Sequence, residues 1–312
     1  MVTGGCGFIG SNIVQRLVNE GYKIIVLDDL SSGKKEYIND CLVEKKCEFI
    51  EGSITDATLL AKIMPKIDLV IHEAAKPDVR ASKKNLFRDF NTNVTGTLHI
   101  LQAMAQNQVE KIVFASSGGT VYGETEKTPT PENEPFAPIS HYGASKAACE
   151  QYLSSFSSLY NIEVISLRLG NIYGLPSNHG VMYDFFWKLE KNPSTMEILG
   201  DGNQIKSYLY VDDCVDAHMC ALQKTLKGHT AFNIASIEGA SVNEVAKEVV
   251  EAMNLSNVEF TYTGGKRGWA GDVRKAVVDI SKANKLLSWK PKVSLKEGVK
   301  SYISWLETEQ NK

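Results

Sequence analysis

The sequence predicts an α/β fold in which a doubly wound parallel sheet is joined to a smaller C-terminal α/β domain. Three observations predict it. Short apolar runs alternate with helical patterns in the first half of the chain, and a glycine-rich segment stands at the first strand-to-helix turn. Glycine, proline and asparagine become frequent after about residue 170. We therefore expect one domain over residues 1–170, to which some later segments return, and a second over residues 171–312.

The first half of the sequence alternates two kinds of segment. Unbroken apolar runs, which are typical of strands buried on both faces, occur at 24–27, 69–71, 112–114 and 164–167. Helical periodicity occurs at 11–21, 57–64, 94–106 and 145–160. In the second half only 242–253 and 295–305 have a helical pattern, and the remainder predicts loops and short elements.

Composition narrows the class of protein. Hydrophobic residues make up 43% and charged residues 23% of the 312 residues, and the formal net charge is -3. These values argue against disorder and nucleic-acid binding, and no apolar run reaches the ~18 residues of a membrane span. The six cysteines form no CxxC pair and the six histidines lack ligand spacing. We therefore expect free thiols in a reducing cytoplasm and no metal site.

A glycine-rich segment near the start of the chain predicts a dinucleotide site. Gly4, Gly7 and Gly10 stand three apart before a helical pattern, so the backbone can approach a pyrophosphate at the helix N-terminus. Asp28 ends the second predicted strand, at the spacing of a carboxylate that binds a ribose and repels a 2′-phosphate. The segment therefore predicts a Rossmann-type domain that binds NAD rather than NADP.

Tyr142 and Lys146 are candidates for catalysis because they stand four residues apart in a helical pattern and share one face. A free tyrosine has a pKa of about 10. A neighbouring cation favours the phenolate, so the pair predicts a tyrosine base that works near neutral pH. Two surface residues of an amphipathic helix have the same spacing, but the position downstream of the dinucleotide segment favours catalysis.

These motifs and others in the same order make the chain resemble the extended short-chain dehydrogenases/reductases, in particular the NAD-dependent nucleotide-sugar epimerase/dehydratase family. The matching segments are 3–10, 28–33, 72–75, 93, 116–117, 121–123, 168–174 and 210–213. The resemblance implies C4 epimerisation of a UDP-sugar through a transient 4-keto intermediate. The substrates implied are UDP-glucose and UDP-galactose, with their N-acetyl forms as a further expectation.

The resemblance also implies a role for individual residues. Tyr142 is the base, and Lys146 positions the nicotinamide ribose and lowers the pKa of Tyr142. NAD is expected to contact Gly4, Gly7, Phe8, Ile9, Gly10, Asp28, Asp29, Ser31, Ser32, Gly33, Ser53, Ile54, Ala74, Ala75, Lys76, Asn93, Ser116, Tyr142 and Lys146. The UDP-sugar is expected to contact Ser117, Gly118, Thr120, Tyr142, Asn171, Gly180, Val181, Tyr208, Arg267, Asp272 and Ala276.

The chain departs from the family pattern at positions that affect catalysis and specificity. Gly118 stands where the family has a catalytic serine or threonine, and we expect the hydroxyl of Ser117, in preference to Thr120, to replace it. Ser53 stands where an aspartate often meets the adenine. Ala276 stands at the position that limits the sugar C2 group, so its small side chain predicts acceptance of UDP-N-acetylhexosamines.

The resemblance further implies a homodimer, formed in related proteins by a four-helix bundle. Apolar stripes occur in both predicted helices, at Leu98, Leu101 and Met104 and at Ala148, Tyr152 and Phe156. The stripes fit such a bundle, and they fit an intramolecular core equally well.

Other functions stay open on the sequence. A sugar-nucleotide 4,6-dehydratase or decarboxylase shares the fold, but a dehydratase needs an acid and a base where this chain has Gly119 and Thr120. A reductase that exchanges NAD(H) with solvent is a second alternative. A non-catalytic NAD sensor is a third; Gly118 favours it, whereas the presence of both Tyr142 and Lys146 argues against it.

Overall fold

The computed structural model describes residues 1–79 and 85–310. Its strands are β1 (Val2–Thr3), β2 (Ile24–Asp28), β3 (Cys47–Glu51), β4 (Val70–His72), β5 (Lys111–Ser117), β6 (Glu163–Leu169), β7 (Asn171–Tyr173), β8 (Thr195–Ile198), β9 (Ile205–Lys206), β10 (Tyr208–Tyr210), β11 (His229–Ile234), β12 (Ala240–Ser241), β13 (Glu259–Tyr262) and β14 (Lys275–Ala276).

The α-helices cover both faces of the central sheet and also occur in the C-terminal part. They are α1 (Phe8–Asn19), α2 (Asn39–Val43), α3 (Ala57–Ile63), α4 (Leu86–Asp89), α5 (Gly96–Gln106), α6 (His141–Tyr160), α7 (Val181–Lys191), α8 (Val211–Gln223), α9 (Val242–Ala252), α10 (Ser281–Leu287) and α11 (Leu295–Gln310). Short 3₁₀-helices occupy Lys35–Ile38 and Met64–Lys66, and a π-helical turn occupies Phe90–Thr95.

Seven strands form one parallel sheet in the order β11-β6-β5-β4-β1-β2-β3, which confirms the predicted doubly wound fold. The strand order reverses at β1, where Val2 pairs with Val26 of β2 on one side and with Ile71 of β4 on the other. In open α/β sheets a crevice for ligands forms at such a reversal, beyond the carboxyl ends of the strands.

The two faces of the sheet have separate apolar cores. On one face Leu101 and Met104 of α5 pack with Leu153 of α6, and all three are fully buried. On the other face Ile13 of α1 lies in a larger core that continues into the C-terminal part, where it includes Val215 of α8. The apolar runs of the central strands are unbroken because side chains on both faces are buried.

The second half contains more regular structure than the sequence predicted. Strand β11 pairs with β6 along its whole length, so a segment far beyond residue 170 belongs to the central sheet. Helices α7, α8 and α10 were not predicted. In α8, buried Asp213 and His218 interrupt the apolar stripe, and this hides the helical period.

The remaining strands form small sheets in the C-terminal part. Strand β7 pairs with β10, β9 pairs with β12 and β14, and β8 pairs with β13. Within residues 1–79 and 85–310 no helix has both the length and the apolar character that crossing a membrane requires.

Candidate active site

A cavity lies beyond the carboxyl ends of β1, β2, β4, β5 and β6, at the reversal of strand order. Most of the residues predicted to bind NAD are brought together in its wall. These are Gly4, Gly7, Phe8, Ile9, Gly10, Asp28, Asp29, Ser31, Ser32, Ile54, Ala74, Ala75, Lys76, Ser116, Tyr142 and Lys146.

The glycine-rich loop between β1 and α1 forms one end of the cavity. Gly4 has a φ of +68°, and a Cβ there would lie 2.7 Å from the backbone nitrogen of Ala74. A Cβ on Gly10 would lie 2.1 Å from the carbonyl oxygen of Gly4, so only glycine lets α1 approach the loop. The N-cap of α1 is Gly7, which has no side chain, and the first N–H groups of the helix stay available for an anion.

Asp28 ends β2 beside this loop, as the sequence predicted. Its Oδ2 accepts a hydrogen bond of 2.9 Å from the backbone N–H of Cys6, and its Oδ1 accepts one of 2.9 Å from Leu30. Burial raises the pKa of this carboxyl. Among the described residues of the cavity wall there is no arginine to hold a 2′-phosphate, whereas a second carboxylate, Asp29, is present. These residues fit NAD.

Tyr142 and Lys146 lie one turn apart on α6 at the other end of the cavity. The Nζ of Lys146 donates a hydrogen bond of 2.7 Å to the carbonyl oxygen of Ala115 and lies 4.7 Å from the ring centroid of Phe114. Lys146 is 3% exposed, and its burial lowers the pKa of the ammonium. The lysine is therefore held in the cavity wall by its contacts with β5.

The surroundings of the Tyr142 phenol differ from the expectation. Burial, and after it the negative charge of Glu73, raises the pKa of Tyr142 above its ordinary value, while a hydrogen bond with Ser117 opposes the rise. No lowering of the Tyr142 pKa by Lys146 accompanies these effects in the structure. Burial dominates because the phenolate loses more hydration than one hydrogen bond restores.

Ser117 presents a hydroxyl in the cavity wall next to Gly118, and its role as the replacement hydroxyl stays a prediction. The Oγ1 of Thr120 donates a hydrogen bond of 2.8 Å to the Oγ of Ser117, which lines the cavity and reaches Tyr142. A Cβ on Gly118 would lie 2.8 Å from the carbonyl oxygen of Arg168, so position 118 has no room for a side chain. Thr120 is not part of the cavity wall and acts on Ser117.

Asn93 is buried beside the cavity and connects two of its walls. Its Oδ1 accepts a hydrogen bond of 2.8 Å from the backbone N–H of Lys76, and its Nδ2 donates one of 2.9 Å to Ser145. Asn93 belongs to the π-helical turn, a geometry common at functional sites. It positions the segment after β4 against α6.

Two further positions expected to contact NAD lie outside the cavity wall. Gly33 packs against Cys6, because a Cβ on it would lie 2.8 Å from the carbonyl oxygen of Cys6. The Oγ of Ser53 accepts a hydrogen bond of 3.2 Å from the backbone N–H of Thr55. Their contacts with the cofactor stay predictions.

Most residues expected to bind the UDP-sugar are also outside this cavity, in the C-terminal part. Tyr208 of β10 is buried and pairs with Asn171 of β7, and the pKa of Tyr208 is raised by burial. Gly180 has a φ of +100° and precedes Val181, the first residue of α7. The structure thus groups these positions on neighbouring elements without placing them in the wall.

The positions expected near the diphosphate and the sugar C2 group form another group. Arg267 makes an exposed ion pair of 3.0 Å with Glu124. Asp272 makes a buried ion pair of 2.6 Å with Lys206, and Ala276 of β14 pairs with Lys206 of β9. Ala276 is 9% exposed. The roles of these residues stay predictions.

The sequence analysis missed several residues of the cavity wall. One of them, Glu73, carries a carboxylate, and its Oε1 lies 2.9 Å from the Nε2 of His218 on α8. The sequence carried a signal for this residue, because Glu73 directly follows a buried strand and Asp28 is the last residue of another. The others include Tyr37, Thr92, Ile172, Pro176, Asn178 and His179.

Comparison with known proteins agrees with this geometry. Residues 1–235 match the model of the NAD dependent epimerase/dehydratase family. The chain is 40% identical to a putative UDP-glucose 4-epimerase of Methanocaldococcus jannaschii, over 98% of each chain.

Solved structures give the same result. The UDP-glucose 4-epimerase of Thermotoga maritima, determined with UDP-glucose, has a TM-score of 0.91 at 37% identity and covers 99% of this chain and 98% of its own. The UDP-glucose 4-epimerase of Thermus thermophilus, in complex with NAD, has a TM-score of 0.88 at 34% identity, over 98% of each chain. The chain therefore belongs to the NAD-dependent epimerase/dehydratase family, as its motifs indicated.

Proposed function

We propose that the protein is an isomerase that inverts C4 of a UDP-sugar, with NAD as its cofactor and UDP-glucose and UDP-galactose as the primary pair. The proposal rests on one observation, that two groups of residues with different roles line the same cavity. The glycine loop and Asp28 form a dinucleotide end, and Tyr142, Lys146 and Ser117 form a catalytic end. The named activities of the relatives support the same reaction.

The chain's own residues divide the chemistry among them. Bound NAD supplies a reversible two-electron oxidation of the sugar C4. Tyr142 takes the proton of the 4-hydroxyl and returns it when the ketone is reduced again. Ser117 donates a hydrogen bond to the same oxygen, and Lys146, one turn from Tyr142 on α6, would position the nicotinamide ribose. When the 4-keto sugar turns within the cavity, hydrogen returns to C4 on the other face, and Tyr142 returns the proton to the 4-oxygen.

The rival lyase reaction has weaker support from the cavity wall. Its carboxylates, among the described residues, are Asp28, Asp29 and Glu73. The first two lie at the dinucleotide end, and Glu73 is paired with His218. Elimination of water from the sugar needs an acid and a base beside Ser117, and this set supplies neither.

We also propose that Arg267 binds the substrate diphosphate. Its guanidinium is half-exposed and makes an ion pair of 3.0 Å with Glu124, which a diphosphate can replace. A planar guanidinium binds phosphate oxygens in pairs. Replacing Arg267 with alanine should raise the KM for the UDP-sugar with little change in kcat.

A homodimer is the assembly that we propose. The outer face of α5 and α6 carries Leu98, Phe156 and Tyr160, which line a shallow groove. Leu159 is 73% exposed and Tyr152 is 45% exposed on the same helix α6. Large apolar side chains clustered on one face favour burial against a second copy. Light scattering tests this, and Leu159→Glu should shift the protein towards a monomer.

We place the protein in a reducing compartment, the cytoplasm. All six cysteines are free thiols, and Cys6, Cys41, Cys149 and Cys214 are buried. Unpaired cysteines of this kind are typical of proteins that fold in a reducing environment.

The experiment that tests the function uses purified protein without added cofactor. It is incubated with UDP-glucose, UDP-galactose and their N-acetyl forms, and the products are separated and identified. We expect C4 inversion without lasting accumulation of reduced nicotinamide. A 4-keto-6-deoxy product would indicate the lyase, and bound NAD without turnover would indicate the sensor. Tyr142→Phe is the matched control and should retain NAD but lose turnover.

A further inference from the structure

A buried ion pair connects the wall of the cavity that the proposed reaction uses to helix α8. The Oε1 of Glu73, just beyond β4, lies 2.9 Å from the Nε2 of His218 on α8. The side chain of Glu73 is 6% exposed and that of His218 is 0% exposed. In many proteins the desolvation of two buried charges costs more free energy than their attraction restores. Stability alone therefore does not explain this pair.

Hydrogen bonding fixes the charge state of the pair. The Nδ1 of His218 lies 2.9 Å from the carbonyl oxygen of Cys214, which can only accept, so Nδ1 carries a proton. Burial alone would lower the pKa of His218, but the charge of Glu73 and the hydrogen bonds raise it well above its ordinary value. A proton therefore lies between Nε2 and the Oε1 of Glu73, which are 2.9 Å apart, and the raised pKa of His218 favours the imidazolium.

The carboxylate of this pair belongs to the cavity wall. Glu73 lines the cavity together with Tyr142 and Lys146. Its charge opposes the loss of a proton from Tyr142 and supports the charge of Lys146. His218 has no place in the wall, so its positive charge is held behind Glu73, away from the ligand space.

We propose that the Glu73–His218 pair makes the cavity favour the oxidised form of the bound nicotinamide. The oxidised ring is cationic and the reduced ring is neutral, so a fixed carboxylate in the wall stabilises the first relative to the second. An enzyme that must finish each turnover with oxidised cofactor gains from this bias. The inference rests on the proposed function for its purpose, although it concerns only the relative binding of the two dinucleotide forms.

The test measures which form the holoenzyme holds. Wild type and Glu73→Gln are incubated in equimolar NAD⁺ and NADH until the bound composition is constant, and the nucleotides released from the separated protein are quantified. We expect the bound ratio of NADH to NAD⁺ to rise about tenfold in Glu73→Gln, because the carboxylate that lines the cavity is lost while the charge of His218 behind it remains. Glu73→Asp retains the charge and should stay within threefold of wild type.

A surface variant controls for charge removal elsewhere. Glu110 is exposed and precedes β5 at the amino end of that strand, away from the cavity, so Glu110→Gln should leave the ratio unchanged. If Glu73→Gln retains no nucleotide because the imidazolium has lost its partner, the double variant Glu73→Gln/His218→Asn has two neutral side chains and gives the decisive ratio. We expect a smaller rise there, of about threefold, because the opposing charge of His218 is removed together with the carboxylate.

A ratio within twofold of wild type in the variant that retains nucleotide overturns the inference. This outcome is separate from the failure of the proposed function. A wild-type protein that exchanges both dinucleotides and shows the shift, but inverts no sugar, contradicts the epimerase alone. A protein that inverts UDP-sugars without the shift contradicts only the role of the ion pair.

Discussion

Removing one of two linked hydroxyls tests how the catalytic end of the cavity works. Ser117 lines the cavity and hydrogen-bonds Tyr142, whereas Thr120 reaches the site only by donating its 2.8 Å hydrogen bond to Ser117. Ser117→Ala and Thr120→Val therefore remove a direct and an indirect contact with the reacting oxygen. Thr125→Val is the matched control, since Thr125 bonds Glu134 at 2.9 Å outside the wall.

The expected magnitudes follow from the two positions. Loss of a donor to the oxygen where charge develops costs roughly 10²–10³ in kcat. Loss of a neutral hydrogen bond that only orients Ser117 costs about 1 kcal/mol, which is about fivefold in rate. We expect kcat to fall by about 10² in Ser117→Ala, by about fivefold in Thr120→Val, and not at all in Thr125→Val.

The assay is the interconversion of UDP-galactose and UDP-glucose at saturating substrate, with bound NAD quantified in each variant. Retained NAD separates a catalytic defect from a defect of the cofactor site. A Ser117→Ala enzyme that turns over like wild type would refute the assignment of the hydroxyl to Ser117. A larger loss in Thr120→Val than in Ser117→Ala would reverse the order of the two residues.

Three further predictions concern specificity, stability and the cofactor. Ala276→Tyr should remove activity on UDP-N-acetylhexosamines while UDP-glucose is still converted, and unchanged N-acetyl activity would count against a size limit at this position. Burial lowers the pKa of His72 from 6.5 to about 3, so the unfolded chain binds a proton that the folded chain excludes, and stability falls as the pH drops below about 6.5. Between pH 7.5 and 5.0, wild type should lose about 2 kcal/mol more than His72→Gln in urea unfolding, and equal losses would contradict a neutral buried His72. Gly10→Ala places a Cβ 2.1 Å from the carbonyl oxygen of Gly4 and should release NAD during purification, which the absorbance of the purified protein reports; full retention would show that the loop can shift.

The dinucleotide end of the site was predictable because its signals are local. The spacing of Gly4, Gly7 and Gly10 is a property of one turn, and the structure shows why Gly10 is needed in the contact with Gly4. The position of Asp28 follows from the strand that it ends. Such features depend on a few consecutive residues and are therefore present in the sequence pattern.

Contacts between distant segments were not predictable in this way. Glu73 and His218 are 145 residues apart, and the sequence carries no periodicity that links them. Helix α8 was missed for a related reason, since its inward side chains include Asp213, which accepts hydrogen bonds of 2.9 Å from the backbone of Lys292 and Val293. Burial of polar groups with remote partners breaks the apolar pattern on which sequence analysis depends.

The rise in the pKa of Tyr142 was not predictable from the sequence for a similar reason. The neighbouring lysine is visible in the sequence, but the burial of the phenol and the charge of Glu73 depend on the assembled cavity. The proximity of a cation can be read from helical spacing, whereas desolvation is a property of everything packed around the group.

The late position of β11 in the chain sets the order in which the protein can mature during synthesis. Until β11 is translated, β6 is an uncovered border of the growing sheet, with its backbone hydrogen-bonding groups unsatisfied by a neighbour on that side. About 60 residues separate the two strands, which corresponds to roughly 3–12 s of translation at ~5–20 residues per second. During that interval the unpaired edge of β6 can pair with a wrong strand. A ribosome-associated chaperone would therefore protect the nascent chain most at this stage.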